Sequence, residues 1–442
     1  MAKYFHSVTL DEKKCKGCTN CIKRCPTEAI RVRNGKAKII KDRCIDCGEC
    51  IRVCPYHAKS AITDNFEKIF KYKYKIALPA PSLYVQFKNK PDINLILTGL
   101  KKLGFDDVFE VSHAAEFVTS VTQKLMAEGL LPSPAISSAC PAVMRLIRVR
   151  FPNLIENVVP LLAPIEIAAY IAKERAIIKT NLNPNDIGIF FITPCAAKVT
   201  CSYAPIGVES SLIDGSIAMS EIYRKLLPVM KKIDKVESLA HSSLEGIVWA
   251  KNGGETAGLN TENYIAVDGI HNVIKILEEL EGERLDNVEF VEASACVGGC
   301  IGGPLTVENP FVARTRISNV LENTIVSMPD FSWQEVPTSL ARWTSPMEFE
   351  PVLNLDDNML IAMQKMKQME AINEELPKLD CGSCGAPSCH ALAEDIVRGY
   401  AKETDCVFKL RERVTMLAKE MVQLESMAWG QGNGMGEDDE NK

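Results

Sequence analysis

The 17 cysteines of this 442-residue chain are the side chains whose type and spacing could do chemistry. Eight lie between residues 10 and 60, four lie between residues 381 and 406, and five are scattered through the middle of the chain, at positions 140, 195, 201, 296 and 300. Clustered cysteines in a reducing compartment bind metal more often than they form disulfides. The sequence therefore indicates a protein that binds several metal centres.

The eight N-terminal cysteines form one motif that occurs twice. The run Cys-x2-Cys-x2-Cys-x3-Cys-Pro begins at Cys15 and again at Cys44. This repeat resembles a bacterial ferredoxin with two 4Fe-4S clusters, in which the fourth cysteine of each run ligates the other cluster. The resemblance implies one cluster on Cys15, Cys18, Cys21 and Cys54, and a second on Cys44, Cys47, Cys50 and Cys25. Zinc is the alternative, although zinc motifs rarely show this doubled run.

Between about residues 75 and 330, strand-like runs alternate with helical patterns, which predicts parallel sheets flanked by helices. The predicted strands are Lys75–Ala80, Asp107–Val111, Ala135–Cys140, Asp186–Cys195 and Val288–Cys296. The predicted helices are Ala163–Thr180, Met219–Asp234, Asn272–Glu283 and Val312–Glu322. Three of the scattered cysteines end predicted strands, and ligand sites in such sheets gather at the carboxyl ends of strands.

Three short motifs carry four of these cysteines: Ser138-Ala139-Cys140-Pro141, Thr193-Pro194-Cys195-Ala196-Ala197-Lys198, and the segment 292–304 with Cys296 and Cys300. As an ordered set, over about residues 75–325, they resemble the active-site motifs of [FeFe] hydrogenases. The resemblance implies that Cys140, Cys195, Cys296 and Cys300 bind the 4Fe-4S part of an H-cluster. Cys300 would also bridge to a two-iron subcluster that carries CO, cyanide and an azadithiolate.

The same resemblance assigns roles to two polar side chains. Lys198 would donate a charge-assisted hydrogen bond to one cyanide. The segment Ala80-Pro81-Ser82 matches a short family motif that lines the two-iron site, and Ser82 would donate to the other cyanide.

The chain departs from catalytic members of that family at positions that move protons. Ala139 stands where many of them have a second cysteine that relays protons, and a methyl group neither donates nor accepts a proton. Cys201 stands where a glutamate is expected three residues after the motif lysine. It is either a small buried hydrophobe or a group that exchanges protons with the cofactor.

Other family features are also replaced. Thr193 and Ser294 stand where catalytic members have methionines, and the helix segment 118–122 lacks their paired glutamates. Alternative proton carriers are Glu255, Glu289 and Glu292, each of which could instead be a solvated surface acid.

The C-terminal cysteines form the pattern Cys381-x2-Cys384-Gly-x-Pro-x-Cys389, followed by Cys406. This pattern resembles a small 4Fe-4S domain, with zinc as the alternative. An alanine at the relay position, altered cluster-flanking residues and a C-terminal cluster domain occur together in the sensory branches of the hydrogenase family. The absence of a PAS-like segment resembles the PAS-lacking branch.

A heptad pattern follows the last cysteine. The apolar residues are Val407, Leu410, Val414, Leu417, Met421, Leu424 and Ala428. Three heptads fit either a coiled-coil seam or an amphipathic helix packed on its own domain. The helix could therefore join a signalling partner or a second copy of the chain.

These patterns predict a multidomain α+β and α/β protein. Residues 1–74 form a ferredoxin domain with two clusters, and residues 75–327 form an H-cluster domain of two α/β lobes. Residues 328–356 are a proline-containing linker, residues 357–429 form a helical 4Fe-4S domain with the heptad helix, and residues 430–442 form a disordered tail.

Composition excludes several other classes of protein. The chain is 46% hydrophobic and 24% charged, which is typical of a globular protein. It has no apolar run of the roughly 20 residues that a membrane helix needs and no signal-peptide core, so a cytoplasmic location is expected. Residues 1–75 hold 18 Lys and Arg against 8 Asp and Glu, but cluster thiolates offset part of this charge and nucleic-acid binding is not expected.

The function expected from these features is slow, reversible oxidation of H2 to protons and electrons at the H-cluster, in the service of H2 or redox sensing. Electrons would pass among the H-cluster, three accessory 4Fe-4S clusters and a ferredoxin-like or signalling protein. Two alternatives are open at this point. One is a metabolic hydrogenase subunit with a different proton path, and the other is a non-enzymatic iron–sulfur scaffold without the two-iron subcluster.

Overall fold

A computed structural model describes residues 5–89, 91–322, 324–327, 333 and 336–432. Packing divides the chain into two compact units, Met1–Cys15 with Ile39–Leu353 and Lys16–Lys38 with Asn354–Lys442. This division differs from the boundaries predicted from the sequence, because part of the ferredoxin-like segment packs with the C-terminal residues. We call the two parts the large unit and the small unit.

The strands and helices of the described residues are numbered in chain order. The strands are β1 (Val8–Leu10), β2 (Ile30–Arg33), β3 (Lys36–Ile39), β4 (Lys59–Ala61), β5 (Tyr74–Pro79), β6 (Asp107–Val108), β7 (Ala135–Ile136), β8 (Ile187–Thr193), β9 (Gly215–Ala218), β10 (Tyr264–Asp268) and β11 (Phe290–Ser294). The helices are α1 (Asn20–Lys23), α2 (Glu49–Arg52), α3 (Ile93–Leu103), α4 (Val111–Ala127), α5 (Pro141–Arg150), α6 (Pro164–Thr180), α7 (Ala196–Tyr203), α8 (Met219–Met230), α9 (Leu244–Val248), α10 (Ile270–Glu281), α11 (Pro310–Ile317), α12 (Met359–Glu375), α13 (Cys389–Val397) and α14 (Val407–Gly432).

Two parallel sheets organise the large unit. One has the strand order β6-β5-β8-β9 and the other has the order β10-β11-β7, and the pairs with a given register are parallel throughout. Every residue of β8 is buried, as expected for a strand with helices packed on both faces of its sheet. One hydrophobic core packs mainly on the first sheet and another mainly on the second sheet, and β11 contributes Phe290 to the former and Val291 to the latter. The predicted α/β architecture of this part of the chain is confirmed.

Several strands end earlier than the sequence predicts, at the carboxyl ends that lead into the site. The predicted strand Ala135–Cys140 ends at Ile136, and the predicted strand Asp107–Val111 ends at Val108 because α4 begins at Val111. Helices α3 and α5 were not predicted, and of α4 only the segment 118–122 was expected to be helical. The last residues of each apolar run turn away from the sheet and become the loop that holds the side chains of the site.

The segment predicted as a linker packs against the large unit. Ala341 is completely buried, its carbonyl accepts a 2.7 Å hydrogen bond from Leu162 N, and Met347 belongs to the core of the second sheet. Apolar residues between the prolines explain why this segment is not a free connector. Residues 328–332 and 334–335 lie outside the described residues.

The ferredoxin-like repeat is visible in local structure. Thr19 precedes α1 and Gly48 precedes α2, and both have left-handed backbone angles, with φ of 65° and 74°. The fourth cysteine of each run accepts a backbone hydrogen bond at the equivalent position. Ala29 N lies 3.2 Å from Cys25 Sγ, and Ala58 N lies 3.3 Å from Cys54 Sγ.

The small unit contains the hairpin of β2 and β3, together with α1, α12, α13 and α14. The heptad side chains of α14 are exposed from Val407 to Leu424, so on this chain they do not pack on their own domain. This helix extends to Gly432, into the predicted tail, and residues 433–442 lie outside the described residues. None of the described helices is long and apolar enough to cross a membrane.

Candidate active site

An open cavity of about 920 Å³ lies at the carboxyl ends of β5, β8 and β11. It brings together side chains from four separate parts of the chain. The residues predicted for the active site that line it are Ala80, Pro81, Ser82, Ala139, Cys140, Cys195, Lys198, Cys296 and Cys300. Cys201 is absent from this wall and lines a second cavity instead.

Hydrogen bonds and close backbone contacts hold the loops around this cavity. Thr193 Oγ1 accepts from Cys195 N at 3.1 Å, which fixes the turn between β8 and α7. A Cβ atom on Gly303 would lie 2.2 Å from the carbonyl oxygen of Pro194, and one on Gly299 would lie 2.6 Å from Asn252 N. These glycines therefore let the loop around Cys300 approach neighbouring backbone.

Four cysteines line this cavity: Cys140, Cys195, Cys296 and Cys300. Burial raises the pKa of the Cys195 thiol far above its usual range, and charge on Cys296 and Cys140 raises it further. Burial likewise raises the pKa of Cys296 to about 11. Metal binding removes the thiol protons, and the positive charge of a bound metal centre would offset the cost of these buried thiolates. The four sulfurs fit the 4Fe-4S part of an H-cluster in number and in ligand chemistry.

Two hydrogen-bond donors point to a further bound group. Lys198 Nζ lies 3.5 Å from Cys300 Sγ. Burial lowers the pKa of Lys198, but the charges of Cys300 and Cys195 outweigh it and raise the pKa to about 12, so the ammonium stays charged. Ser82 is completely buried, and its hydroxyl has no hydrogen-bond partner among the described residues. An unpartnered donor in the cavity wall fits a bound acceptor such as cyanide.

Two carboxylates are buried in the wall beside Ala139. Ser137 Oγ lies 2.5 Å from Glu255 Oε2, and Glu292 accepts from Gly253 N at 2.8 Å and from Thr256 N at 3.0 Å. Burial raises the pKa of Glu255, and the neighbouring charge of Glu292 raises it further. The pKa of Glu292 is also raised by burial.

The third acid named from the sequence, Glu289, lies elsewhere. It is exposed and accepts from Thr261 Oγ1 at 2.7 Å, and that hydrogen bond lowers its pKa. Its interpretation as a surface acid is therefore correct.

One arginine connects the ferredoxin-like run at Cys44 with the cavity. The charges of Cys296, Glu49, Cys47 and Cys195 all raise the pKa of Arg52, against the effect of its burial. A Cβ atom on Gly48 would lie 2.5 Å from Pro304 Cγ, so the loop after Cys47 packs on the loop after Cys300. The two cysteine sets are neighbours, as electron transfer between them requires.

A second cavity, of about 520 Å³, shares Lys198 as a wall residue with the first. Cys201 and Glu166 also line it. Arg145 is buried and donates to the carbonyl oxygens of Ala197 and Ala204 at 3.2 and 3.1 Å, and its Nη2 lies 3.9 Å from Cys201 Sγ.

Glu166 was missed in the sequence. It accepts hydrogen bonds from Ser211 Oγ at 2.8 and 3.0 Å, and burial raises its pKa to about 7. The available signal was a single acid within the apolar helix segment 164–171. The second cavity, which Lys198 also lines, therefore does contain a carboxylate. Glu166 of α6 supplies it, and position 201, where the family has a glutamate, does not.

The family model described as the iron only hydrogenase large subunit, C-terminal domain, matches residues 73–226 and 207–304, which together exceed half of the chain. The chain belongs to the iron-only, or [FeFe], hydrogenase family. A model of a 4Fe-4S dicluster domain matches residues 7–55, and an Fe-S cluster model matches residues 376–408. Together with the fold, these matches establish a hydrogenase-like iron–sulfur protein with a ferredoxin-like N-terminal domain.

Curated relatives from two bacteria are similar over most of the chain. Iron hydrogenase 1 of Clostridium pasteurianum is 23% identical over 392 residues, covering 71% of this chain and 68% of the relative. The periplasmic [Fe] hydrogenase large subunit of Nitratidesulfovibrio vulgaris is 25% identical over 364 residues, covering 67% and 86%. Among solved structures, a variant of the [FeFe]-hydrogenase HydA1 from Chlamydomonas reinhardtii is 16% identical, covers 60% of this chain and 88% of its own, and superposes with a TM-score of 0.45.

The raised pKa of Glu166, which lines the second cavity, leads to a prediction about stability. Below pH 4.5, its ordinary pKa, Glu166 is protonated in both the folded and unfolded states and has no effect on stability. As the pH rises towards 7, the unfolded chain releases the proton first, so the folded state loses stability. The Glu166→Gln variant does not suffer this loss. We therefore expect the free energy of unfolding of the variant, relative to that of the unchanged protein, to increase by about 2 kcal/mol between pH 5.5 and pH 8.

Urea unfolding of anaerobically prepared protein at the two pH values measures this effect. Glu209→Gln removes the same charge from an exposed position and should show no such pH dependence. An equal pH dependence in the two variants would contradict the assignment of the titration to Glu166.

Proposed function

We propose that this hydrogenase-like protein binds H2 at an H-cluster and interconverts it slowly with protons and electrons. The observation that carries the proposal is the cavity itself, which is lined by four cysteines (Cys195 and Cys296 buried, Cys140 and Cys300 partly buried), a charged lysine and a serine hydroxyl with no hydrogen-bond partner among the described residues. A scaffold without the two-iron subcluster would have no ligand for Lys198 and Ser82 to hold. This argument favours a protein that carries the complete cofactor.

The side chains have distinct roles in this proposal. When bound, the two-iron subcluster supplies the centre at which H2 is cleaved or formed. Cys140, Cys195, Cys296 and Cys300 would hold the adjoining 4Fe-4S part, and Cys300 would also hold the two-iron part. Lys198 and Ser82 orient the cofactor through its cyanides, and Ala80 and Pro81 shape the wall on the same side.

Proton transfer is the step that the residues of this chain make slow. The Ala139 methyl group cannot carry a proton, so the nearest carriers in the wall are the Ser137 hydroxyl and the Glu255 carboxyl hydrogen-bonded to it. Burial and mutual repulsion keep a proton on the Glu255–Glu292 pair in the neutral pH range. We therefore propose that Ser137, Glu255 and Glu292 replace the missing cysteine relay.

A sensory role follows from this slow chemistry as part of the proposal. A slow centre yields little current for metabolism, but it still reports H2 through the redox state of its clusters. The accessory clusters would pass that state to a ferredoxin-like or other signalling protein. The PAS-lacking sensory branch, the cytoplasmic location and the count of three accessory 4Fe-4S clusters belong to this proposal.

Exchange of H2 with D2O, measured after maturation with the two-iron cofactor, tests the activity and the relay together. We expect exchange, with turnover well below about 10³ s⁻¹. Glu255→Gln and Glu292→Gln should each reduce the exchange rate by about 10²-fold, because general acid–base groups contribute roughly that much.

Two further variants distinguish the acid relay from a relay through the Cys201 thiol and from the mere loss of a negative charge. Glu289→Gln makes the same substitution at an exposed acid and should leave exchange unchanged. Cys201→Ala should also leave it unchanged, and a large loss in that variant would give the relay role to the thiol. Turnover of the unchanged protein above about 10³ s⁻¹ would favour a metabolic hydrogenase.

The exposed seam of α14 is proposed as a dimer interface with a second copy of the chain. Valine at two of the positions that alternate with Leu410, Leu417 and Leu424 favours two-stranded coiled coils. Leu417→Lys should halve the mass measured by sedimentation, whereas Gln423→Lys, off the seam of the same helix, should not. A monomeric unchanged protein, or dissociation by both substitutions, would contradict this interface.

A further inference from the structure

The small unit joins two segments that are more than 300 residues apart in sequence. An ion network connects β2 of the first segment with α13 of the second. Arg31 Nε and Arg33 Nη2 lie 2.7 and 2.6 Å from the same oxygen of Asp395, and Arg31 Nη2 lies 3.8 Å from Glu394 Oε2. Three of these four side chains are less than a tenth exposed.

Backbone contacts bring the same segments together at the C-terminal cysteine loop. Val32 N donates to the carbonyl oxygen of Gly385 at 2.8 Å. Arg33 Nη1 donates to the carbonyl oxygen of Cys384 at 2.9 Å. Ser388 Oγ, which also caps α13, lies 2.9 Å from Glu28 Oε1. The loop that carries Cys384 is thus tied to the hairpin by both main-chain and side-chain bonds.

Two glycines show how closely the segments approach. A Cβ atom on Gly385 would lie 1.9 Å from the carbonyl oxygen of Val32, which leaves no room for a larger residue. A Cβ atom on Gly382 would lie 3.4 Å from Ile22 Cδ1 and 3.3 Å from Lys23 Cε. Ile22 adjoins Cys21 and Gly382 adjoins Cys381, so the two cysteine loops lie close together.

We propose that the C-terminal cluster exchanges electrons directly with the cluster that Cys18 and Cys21 ligate, and that the network of Arg31, Arg33, Glu394 and Asp395 fixes this pair of clusters. The inference rests on the proposed function only in that both loops carry 4Fe-4S clusters. It adds which two clusters are adjacent in the electron relay and which residues hold them together.

The electron transfer balances without further chemistry. One electron leaves a reduced cluster and enters its oxidised neighbour, and no bond is made and no proton moves between them. Each H2 supplies two such electrons, which pass in turn to a one-electron acceptor protein. Cys381 and Cys18 are both exposed, so the acceptor can reach either cluster of the pair.

The burial of the network argues for a fixed pair of clusters. Removing paired charges from water carries a large desolvation cost, which is offset only while the partners stay in contact. If the C-terminal domain swung freely, Arg31 and Asp395 would have to be solvated again at each opening. The alternative is a C-terminal cluster that only stabilises its own domain.

Low-temperature electron paramagnetic resonance of the reduced, full-length protein tests the proposal. Magnetic interaction with a neighbouring cluster broadens the signals, and Cys389→Ser, which removes a C-terminal ligand, should abolish that part of the broadening. The double variant Arg31→Met with Arg33→Met should lose the same broadening while iron content and total spin stay unchanged. The double variant Arg24→Met with Lys38→Met removes two exposed cations from the same segment and should retain it.

The possible results separate this inference from the hydrogenase proposal. Unchanged line shapes in Cys389→Ser would overturn the direct contact between clusters, even if the arginine variants failed to fold. Broadening that persists in the variant lacking Arg31 and Arg33 would overturn the role of the network. Retained coupling in a protein that shows no H2 chemistry would leave the inference standing and contradict the proposed activity.

Discussion

The gathering of four buried or partly buried cysteines around one cavity is the constraint on which the rest of the site depends. Thiolates and an ammonium group in such a cavity are costly to the folded chain unless a metal centre or a paired charge offsets their desolvation. The parallel sheets meet this constraint by ending β5, β8 and β11 at the cavity, so that each motif leaves its strand towards the same point. Lys198 and Arg52 then place positive charge next to the sulfurs.

Much of the fold and of the candidate site could be predicted from the sequence, because short motifs and local periodic patterns carry the information. The spacing of the cysteines and the alternation of strands and helices indicated the cluster motifs and the parallel sheets, and the resemblance to [FeFe] hydrogenases named the residues of the cavity. What failed depends on contacts between distant parts of the chain. Glu166 meets Ser211 across 45 residues, and Ser137 meets Glu255 across 118. No periodic pattern encodes such pairs, and for the same reason packing of the proline-containing segment around Ala341 was not predicted.

In the proposed function, proton and electron transfer would be handled by different parts of the molecule. In the large unit, Ala139 interrupts the usual proton route of the family, and buried acids stand behind it. In the small unit, buried ion pairs hold one cysteine loop against another. Under the proposed function, a slow proton route together with an ordered chain of clusters would suit the protein to registering H2 rather than to consuming it quickly.

The central claim is that the cavity holds a complete H-cluster, and infrared spectroscopy tests it most directly. The protein would be matured anaerobically with the two-iron cofactor, and spectra would be recorded with and without H2. Bands of iron-bound CO and cyanide that shift on addition of H2 are the predicted result, with about 18 iron atoms per chain. Full occupancy of the cubane clusters without any CO or cyanide bands would contradict the account.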